Sequence, residues 1–333
     1  MTDAQVVDEE DLVEVIDGEE RARVVRQQLR LDDDTPLAIE RTTAITGPSR
    51  PPVVLIHGFA QNRYSWRVSG RSFSAFLASR GYEVLNLELR GHGRSRAYGA
   101  GNAESFPQYV ADARRVVARC SAAPFVIGHS LGGAVALGVA TEARLRGVVH
   151  LAGIWRFASR NRALRALGRA TLAFEPVLKA VPVRLSTGWA GELIARLYAV
   201  TDVAGYGAPI AGWVPDSIER ELLEERLALG FDWTSVEVWL QMARWAAGEP
   251  FGYAEAFAAL DRPLLVIAGD ADPLVRVDEA RECFARSVAT DKELVVFDAF
   301  DHEVHWGHVD LILGRHARRI VWPRIEDWLA ARS

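Results

Sequence analysis

The sequence predicts an α/β protein built on a mostly parallel sheet with helices on both faces. Several short runs are apolar throughout instead of alternating between apolar and polar residues, which is typical of strands buried on both faces of a parallel sheet. Helical patterns separate these runs, and the alternation of strand, helix and strand favours parallel pairing through crossover connections. One long helical stretch interrupts the alternation, so we expect a helical insertion in the α/β core.

The predicted strands begin with a hairpin. Ala22–Leu31 and Pro36–Ala44 are rich in β-branched and alternating apolar residues, and Asp32–Asp34 between them is a turn signal, so the two runs should pair as antiparallel strands. The later runs are expected to form the parallel part of the sheet. They are Val53–Ile56, Glu83–Leu89, Phe125–Ile127, Gly147–Leu151, Leu264–Ala268 and Glu293–Phe297. The helical patterns between them include Ser72–Arg80, Ser105–Ser121 and Leu131–Ala143.

The insertion lies between Leu151 and Leu264, where no clear strand pattern occurs. Its helical patterns include Arg162–Ala173, Glu192–Tyr198, Ser217–Leu229 and Ser235–Ala247. Six of the ten tryptophans fall here, namely Trp155, Trp189, Trp213, Trp233, Trp239 and Trp245. We expect a cap that covers a binding site, although each tryptophan could equally fill an ordinary helical core. The predicted division is an acidic lead (1–20), an α/β core (21–154 and 261–333) and a helical cap (155–260).

The acidic lead carries nine Asp and Glu side chains. It lacks the basic start and the apolar run of a signal peptide, so we expect a solvated lead-in on a cytoplasmic protein. The uncharged stretch from Cys120 to Thr141 contains Pro124 and several small residues. That composition favours a strand, a turn and a buried helix over a transmembrane segment.

The net charge and the cysteine content exclude further classes. A net charge of −5 supplies no basic field for a phosphate backbone, so nucleic acid is not an expected partner. The two cysteines, Cys120 and Cys283, lie far apart without C-x-x-C spacing, so neither a disulfide framework nor a zinc site follows. No cluster of metal ligands appears in the sequence, and we expect neither a metal nor another cofactor. The sequence indicates no oligomeric state.

The pattern G-x-S-x-G occurs at Gly128, Ser130 and Gly132. A short β-rich run precedes it and a helical pattern follows it, so Ser130 should occupy a sharp strand-to-helix turn. Glycine is needed on both sides because a larger side chain would collide across such a turn. The pattern therefore indicates a nucleophilic serine, and the alternative is a small serine that packs at a helix start.

The chain resembles the α/β-hydrolase family over nearly its whole length. The five matching landmarks are His57-Gly58-Phe59, Arg90-Gly91-His92-Gly93-Arg94-Ser95, Gly128-His129-Ser130-Leu131-Gly132, Gly269-Asp270-Ala271-Asp272-Pro273-Leu274-Val275 and Gly307-His308-Val309-Asp310. The resemblance implies an α/β-hydrolase fold with an inserted cap, and the closing segment is similar to that of lipase-like and polyester-related members. Haloalkane dehalogenases and epoxide hydrolases of this fold use Asp as nucleophile, so Ser130 points instead to acyl transfer through an acyl-enzyme.

A serine nucleophile needs a general base that a third group orients, and in this fold the acid and then the histidine follow the serine along the chain. Asp270 and Asp272 both lie after a late strand. The family spacing G-x-x-D favours Asp272 as the acid. Asp270 is expected to cap the backbone of its own turn.

The late histidines are the candidates for the base. His302 follows the last strand most closely and would suit a hydrolase with a short final loop. The resemblance places the base instead at His308, before a helical run, and His305 is a further alternative. Chain order excludes the four earlier histidines as base, namely His57, His92, His129 and His150. Of these, the first two are expected to bind loop backbone and the last to be a core residue.

The oxyanion of the tetrahedral intermediate needs preorganised N–H donors. The backbone N–H of Leu131 directly follows Ser130 at a helix N-terminus and is the first candidate. The resemblance implies the backbone N–H of Phe59 as the second donor.

These residues predict a carboxylic ester hydrolase in which Ser130 attacks, His308 transfers the proton and Asp272 orients the histidine. The Trp-rich cap predicts a small uncharged or apolar ester as substrate. Acyltransferases, thioesterases and C–C bond hydrolases would need the same three residues and stay open as alternatives. A non-catalytic binding protein of this fold would be expected to lack a member of the triad.

Overall fold

The computed structural model describes residues 1, 3–158, 161–180, 212–232 and 234–333. Within these ranges eleven strands form one sheet. The strands are β1 (Gln5–Asp17), β2 (Glu20–Leu31), β3 (Leu37–Ala44), β4 (Pro52–Ile56), β5 (Arg67–Val68), β6 (Arg71–Ser72), β7 (Glu83–Glu88), β8 (Phe125–His129), β9 (Gly147–Leu151), β10 (Leu264–Gly269) and β11 (Lys292–Phe297).

The α-helices of the described ranges follow the predicted alternation with the strands. They are α1 (Phe73–Ser79), α2 (Gly93–Ala97), α3 (Phe106–Ala118), α4 (Leu131–Ala140), α5 (Arg162–Ala173), α6 (Glu175–Ala180), α7 (Arg220–Gly230), α8 (Val236–Ala247), α9 (Ala254–Ala258), α10 (Val277–Arg286), α11 (Asp310–Leu313) and α12 (Ala317–Ala330). None of these helices is both long and apolar enough to cross a membrane.

Six strands form the parallel part of the sheet, in the order β11-β10-β9-β8-β4-β7. They correspond to the six apolar runs, so the prediction of a mostly parallel α/β sheet is confirmed. β3, β2 and β1 extend the sheet beyond β7 by antiparallel pairing. The predicted hairpin is the pair β2–β3, in which Leu31 lies opposite Leu37.

Side chains of the parallel strands alternate between two buried clusters. Val54 and Ile56 of β4 lie in a cluster with residues of α3 and α4, on one face of the sheet. Val53 and Leu55 lie in a second cluster with residues of α1 and α12, on the other face. Burial on both faces explains why a run such as Val53–Ile56 is apolar throughout. Since parallel strands end at a common edge, the loops after β4, β8, β10 and β11 all leave the sheet on one side.

The acidic lead is part of the sheet, and the expectation of a solvated lead-in over residues 1–20 is wrong in that respect. Gln5–Asp17 forms β1 and pairs with β2 along most of its length. Its acidic side chains bind basic side chains across the pair, Asp11 with Arg23 at 2.9 Å and Glu14 with Arg26. Such cross-strand pairs of opposite charge help to stabilise a strand that is rich in acidic residues.

The insertion is helical where the structure describes it. Three of its expected helices correspond to α5, α7 and α8, and the short helices α6 and α9 were not expected. The helix expected at Glu192–Tyr198 lies outside the described residues, and so do Trp189 and Trp233. The division into a lead, a core and a cap at 155–260 stays a prediction.

Candidate active site

Ser130 lies at the turn between β8 and α4. Its backbone has φ 58° and ψ −121°, a conformation that costs a residue with a side chain of the order of 1–3 kcal/mol. The turn is fixed from several sides, because the N–H of Ser130 donates to the carbonyl of Leu151 and its own carbonyl accepts from Gly133 and Ile154. The strand-to-helix turn that the motif predicts is therefore present, and it presents the serine side chain beyond the end of β8.

The two flanking glycines allow backbone contacts that no larger residue would permit. A β-carbon at Gly128 would lie 2.1 Å from the carbonyl oxygen of Gly132, across the turn. A β-carbon at Gly132 would lie 2.2 Å from the carbonyl oxygen of Ile56 in β4. Both distances are far below van der Waals contact, so the glycines of the motif are needed for α4 to start directly against β4.

The loop after β4 approaches the serine from the neighbouring strand. A β-carbon at Gly58 would lie 3.0 Å from Cβ of Ser130, which places Phe59 beside the nucleophile turn. The imidazole of His57 fixes this loop: its Nδ1 donates to the carbonyl of Gly58 at 2.9 Å and its Nε2 accepts from the N–H of Leu89 at 3.1 Å. Burial keeps His57 neutral by lowering its pKa well below the ordinary value. The expected backbone role of His57 is confirmed.

The two proposed oxyanion donors belong to Leu131, directly after Ser130, and to Phe59, in the loop beside the nucleophile turn. Leu131 is the first residue of α4, so its N–H has no acceptor within the helix and lies at the positive end of the helix dipole. Phe59 lies in the loop after β4, and its ring lines the same cavity as Ser130. Their positions fit the predicted role, which stays a prediction.

His308 and Asp272 form a buried pair beside the nucleophile turn. Nδ1 of His308 lies 2.7 Å from Oδ2 of Asp272, and both side chains are almost wholly shielded from solvent. The other carboxylate oxygen of Asp272 accepts from the N–H groups of Leu274 and Val275 at 2.8 and 2.9 Å. Three hydrogen bonds therefore hold the carboxylate, and it in turn fixes the proton of His308 on Nδ1.

The second nitrogen of His308 is available for chemistry. Its Nε2 is buried and has no hydrogen-bond partner among the described residues. His308 and Ser130 line the same cavity of about 400 Å³. With Nδ1 occupied by Asp272, the neutral ring carries a free acceptor at Nε2, as a general base requires.

The alternative acid and base form a separate pair. Asp270 binds Nδ1 of His305 at 2.5 Å, and its other oxygen accepts from the N–H of Trp306 at 2.9 Å. The side chain of His305 is 65% exposed, in contrast to the buried His308. His302 lies with the ring of Phe297 at a centroid distance of 4.7 Å, and neither alternative base lines the cavity.

His129 has a contact that chain order alone could not suggest. Its Nε2 donates to the backbone carbonyl of His308 at 3.0 Å, and the two rings lie with centroids 4.5 Å apart. Burial lowers the pKa of His129 well below the ordinary value, so the ring is neutral. The residue before the nucleophile therefore positions the candidate base.

The cavity lies beneath the helices of the insertion. Its lining from the described residues is Phe59, Ala60, Gln61, Ser130, Phe157, Leu164, Leu167, Thr171, Trp213, Leu223, Arg226, Leu227, Phe231, Thr234, Trp239, Met242, Leu274, His308 and Val309. Trp213 and Trp239 contribute to the wall, whereas Trp155 and Trp245 pack against Phe251 away from it. Of the four described tryptophans of the insertion, two therefore line the cavity and two fill a helical core. The cavity wall is apolar apart from a few polar groups.

A model of the alpha/beta hydrolase family matches residues 53–321, which is most of the chain. The chain belongs to the alpha/beta hydrolase family. The resemblance and the fold that it implies are thereby confirmed. A soluble variant of monoglyceride lipase from Saccharomyces cerevisiae, in complex with a substrate analog, has a TM-score of 0.64 to this alpha/beta hydrolase at 16% identity, covering 91% of this chain and 94% of that chain. At such low identity this likeness shows the fold alone.

Two further proteins are similar in sequence. This alpha/beta hydrolase is 26% identical to a monoacylglycerol lipase of Mycolicibacterium smegmatis, over 77% of this chain and 82% of the relative. It is 40% identical to epoxide hydrolase B of Mycobacterium tuberculosis, over 26% of this chain and 23% of that protein. The second match spans less than a quarter of the relative's length. The comparisons together show a member of the alpha/beta hydrolase family with lipase-like relatives.

Asp310 joins the candidate base loop to the insertion of this alpha/beta hydrolase, and sequence reasoning assigned it no role. One carboxylate oxygen accepts from the N–H groups of Gly307 and Val214 at 2.6 and 3.0 Å. The other accepts from the hydroxyl of Ser217 at 2.7 Å. Val214 and Ser217 precede α7 in the insertion, so this buried carboxylate holds the insertion against the loop that carries His308. Val214 and Ser217 are far from Asp310 along the chain, so no local sequence pattern indicates these hydrogen bonds.

Asp310 is expected to make stability depend on pH. Burial raises the pKa of its carboxyl from 3.8 to about 7. The folded state then keeps a proton that the unfolded state releases, so the free energy of unfolding should fall as pH rises from about 4 to about 7, by a few kcal/mol at about 1.4 kcal/mol per pKa unit. In Asp310→Asn the neutral amide can accept from both N–H groups and donate to Ser217, so this decline should flatten. Denaturant unfolding of both proteins from pH 4 to 8 measures the difference, and equal slopes would contradict it.

Proposed function

We propose that this alpha/beta hydrolase is a serine esterase that cleaves carboxylic esters through an acyl-enzyme on Ser130. One observation carries the proposal: a serine on a strained strand-to-helix turn lines one cavity with His308, whose other ring nitrogen is bound by the buried Asp272. Each of these groups follows a strand of the parallel sheet, where ligand sites of open α/β sheets are found. The family and the lipase-like relatives support the same reaction class.

The proposed reaction has two steps. Nε2 of His308 takes the proton of the Ser130 hydroxyl while Oγ attacks the ester carbonyl, and the histidine then gives this proton to the departing alcohol. Asp272 keeps His308 in the required tautomer and stabilises its cationic form. A water molecule, deprotonated by His308, attacks the acyl-enzyme and releases the carboxylic acid, and the proton returns to Oγ of Ser130. The N–H groups of Leu131 and Phe59 would stabilise the oxyanion in both steps.

The cavity supports an ester with an apolar body as the substrate. Leu and aromatic side chains of the insertion, such as Leu164, Leu227 and Trp239, form much of its wall. A volume of about 400 Å³ is suited to a small or medium chain. The monoglyceride and monoacylglycerol lipase likenesses also favour an ester of this kind. We therefore propose that residues 155–260 act as a cap that shapes the acyl or alcohol site.

The test combines turnover with covalent labelling. Hydrolysis of p-nitrophenyl esters from acetate to dodecanoate should show an optimum within the short to medium acyl chains, because the cavity has a volume of about 400 Å³. A fluorophosphonate should label the protein once, and peptide mass spectrometry should find the label on Ser130. Thioesters and an added alcohol acceptor, assayed in parallel, identify a thioesterase or an acyltransferase by its products. A folded protein that is inert to every ester and is not labelled would contradict the proposal.

A further inference from the structure

Arg226 is a buried cation in the wall of the candidate active site. It belongs to α7 of the insertion, is 4% exposed and lines the same cavity as Ser130 and His308. Burial lowers its pKa from 12.5 to about 10, so the guanidinium still carries its charge at neutral pH. A charged group in an otherwise mostly apolar wall was not expected from the sequence.

Among the described residues, the guanidinium has no carboxylate partner of the kind that a buried cation normally has. Nε and Nη1 are buried without a hydrogen-bond partner among the described residues, and Nη2 has only a long contact of 3.5 Å to the hydroxyl of Ser65. No carboxylate in the described ranges forms an ion pair with Arg226. By contrast, the similarly buried Arg71 is held by Asp17 at 2.7 Å and Glu219 at 2.8 Å. An unpaired buried charge is costly for folding, so a site that retains one has a use for it.

The surroundings of Arg226 place its charge close to the nucleophile turn. Burial lowers the pKa of His57 and His129, and the positive charge of Arg226 adds to the lowering at both residues. Phe231 lies 5.8 Å from the guanidinium carbon by its ring centroid, and a β-carbon at Gly230 would overlap Nη1. The neighbours therefore confine the charged group within reach of a molecule bound in the cavity.

We propose that Arg226 receives a carboxylate of the substrate, so that the enzyme acts on esters that also carry a free carboxylate group. This inference rests on the proposed function and narrows the substrate class. A carboxylate accepts charge-assisted hydrogen bonds from a guanidinium, and the pair would neutralise the buried charge. The apolar wall would accommodate the chain between the ester and the acid, as in a half-ester of a dicarboxylic acid. The proposal differs from the expectation of a small uncharged or apolar ester, because it predicts an apolar body with one anionic end.

The first test compares two esters that differ only in the distal group. Mono-p-nitrophenyl adipate ends in a carboxylate, and p-nitrophenyl methyl adipate ends in a neutral ester. Wild type should favour the first in kcat/KM, with spontaneous hydrolysis measured in buffer alone and subtracted. Arg226→Gln should lower the ratio of the two kcat/KM values by about 10- to 100-fold, the effect of losing a charge-assisted hydrogen bond, and Arg226→Lys should keep part of it. A ratio near one in wild type, or the same ratio in Arg226→Gln, would overturn the inference.

Stability provides a second readout that a purely structural arginine would not share. Arg226→Met replaces the unpaired cation by an apolar chain of similar length, so its Tm should rise by a few degrees. Arg71→Met is the matched control, because it breaks two ion pairs, and its Tm should fall. A lower Tm in Arg226→Met would indicate a structural partner for the guanidinium and would overturn the inference.

Binding separates this inference from the proposed function. In the Ser130→Ala background, monomethyl adipate should bind and dimethyl adipate should bind at least about tenfold more weakly, as followed by calorimetry or NMR titration. Adding Arg226→Gln should remove the difference. This result would support the carboxylate site even if wild type cleaved no ester. Hydrolysis of neutral esters without any preference for the acidic ligand would support the esterase and overturn the carboxylate site.

Discussion

Ser130→Ala is expected to lower ester hydrolysis by about 10⁴- to 10⁶-fold, because the hydroxyl oxygen forms the covalent bond of the acyl-enzyme. The oxyanion donors and the cavity stay in place, so a residual rate above that in water should remain. Fluorophosphonate labelling should be lost in the same variant. The measurement is kcat and kcat/KM for the best p-nitrophenyl ester, with labelling followed by intact mass.

The fold should survive this substitution. The Ser130 side chain makes no capping hydrogen bond to α4, and alanine retains the β-carbon that the turn already accommodates. Circular dichroism and Tm should therefore match wild type closely. Ser79→Ala is the matched control, since Ser79 is exposed at the end of α1 and should leave both rate and labelling unchanged. More than about a tenth of the wild-type rate in Ser130→Ala would place the nucleophile elsewhere, since loss of a covalent nucleophile costs far more.

The strands were predictable where a local rule decides the structure. An apolar run such as Gly147–Leu151 must be buried on both faces, so its pattern defines a parallel strand to the residue. The strand Gln5–Asp17 was missed because its many acidic side chains resemble a solvated segment, and their pairing with basic side chains of β2 is seen only in the folded chain. Strand propensity and hydrophobic periodicity give no information about such ion pairs between strands.

The candidate site was predictable as far as short motifs reach. The motif at Gly128–Gly132 defines its own backbone turn, and the spacing from Gly269 distinguished Asp272 from Asp270. No local sequence pattern identifies Arg226, because its lack of a carboxylate partner among the described residues is a property of the folded chain. The position of Asp310 near Ser217 likewise depends on the path of the insertion back to the core. Roles that arise from long-range contacts of this kind need the structure.

His308→Ala is expected to reduce kcat/KM by about 10⁴-fold or more, whereas His305→Ala should keep nearly the wild-type value. The molecule itself supplies this comparison, because two His–Asp pairs leave the same end of the sheet with similar Nδ1–carboxylate distances, 2.7 and 2.5 Å. Only His308 faces the cavity that holds Ser130, and the side chain of His305 is mostly in solvent. The two pairs make the same kind of hydrogen bond, but only the loss of the histidine that faces the cavity should lower kcat/KM.

The carboxylates of the two pairs, Asp272 and Asp270, allow the same comparison. Asp272→Asn should lower the rate by about 10⁴-fold, because the amide no longer holds the tautomer of His308 that leaves Nε2 free to accept a proton. Asp270→Asn should leave the rate within about threefold, because Asp270 and its partner His305 do not line the cavity that holds Ser130. Combining His308→Ala with Asp272→Asn should add little further loss, because two members of one catalytic unit do not act independently. A dead His305→Ala with an active His308→Ala would transfer the base to the exposed pair. It would also require a conformation of the final loop in which His305 reaches Ser130.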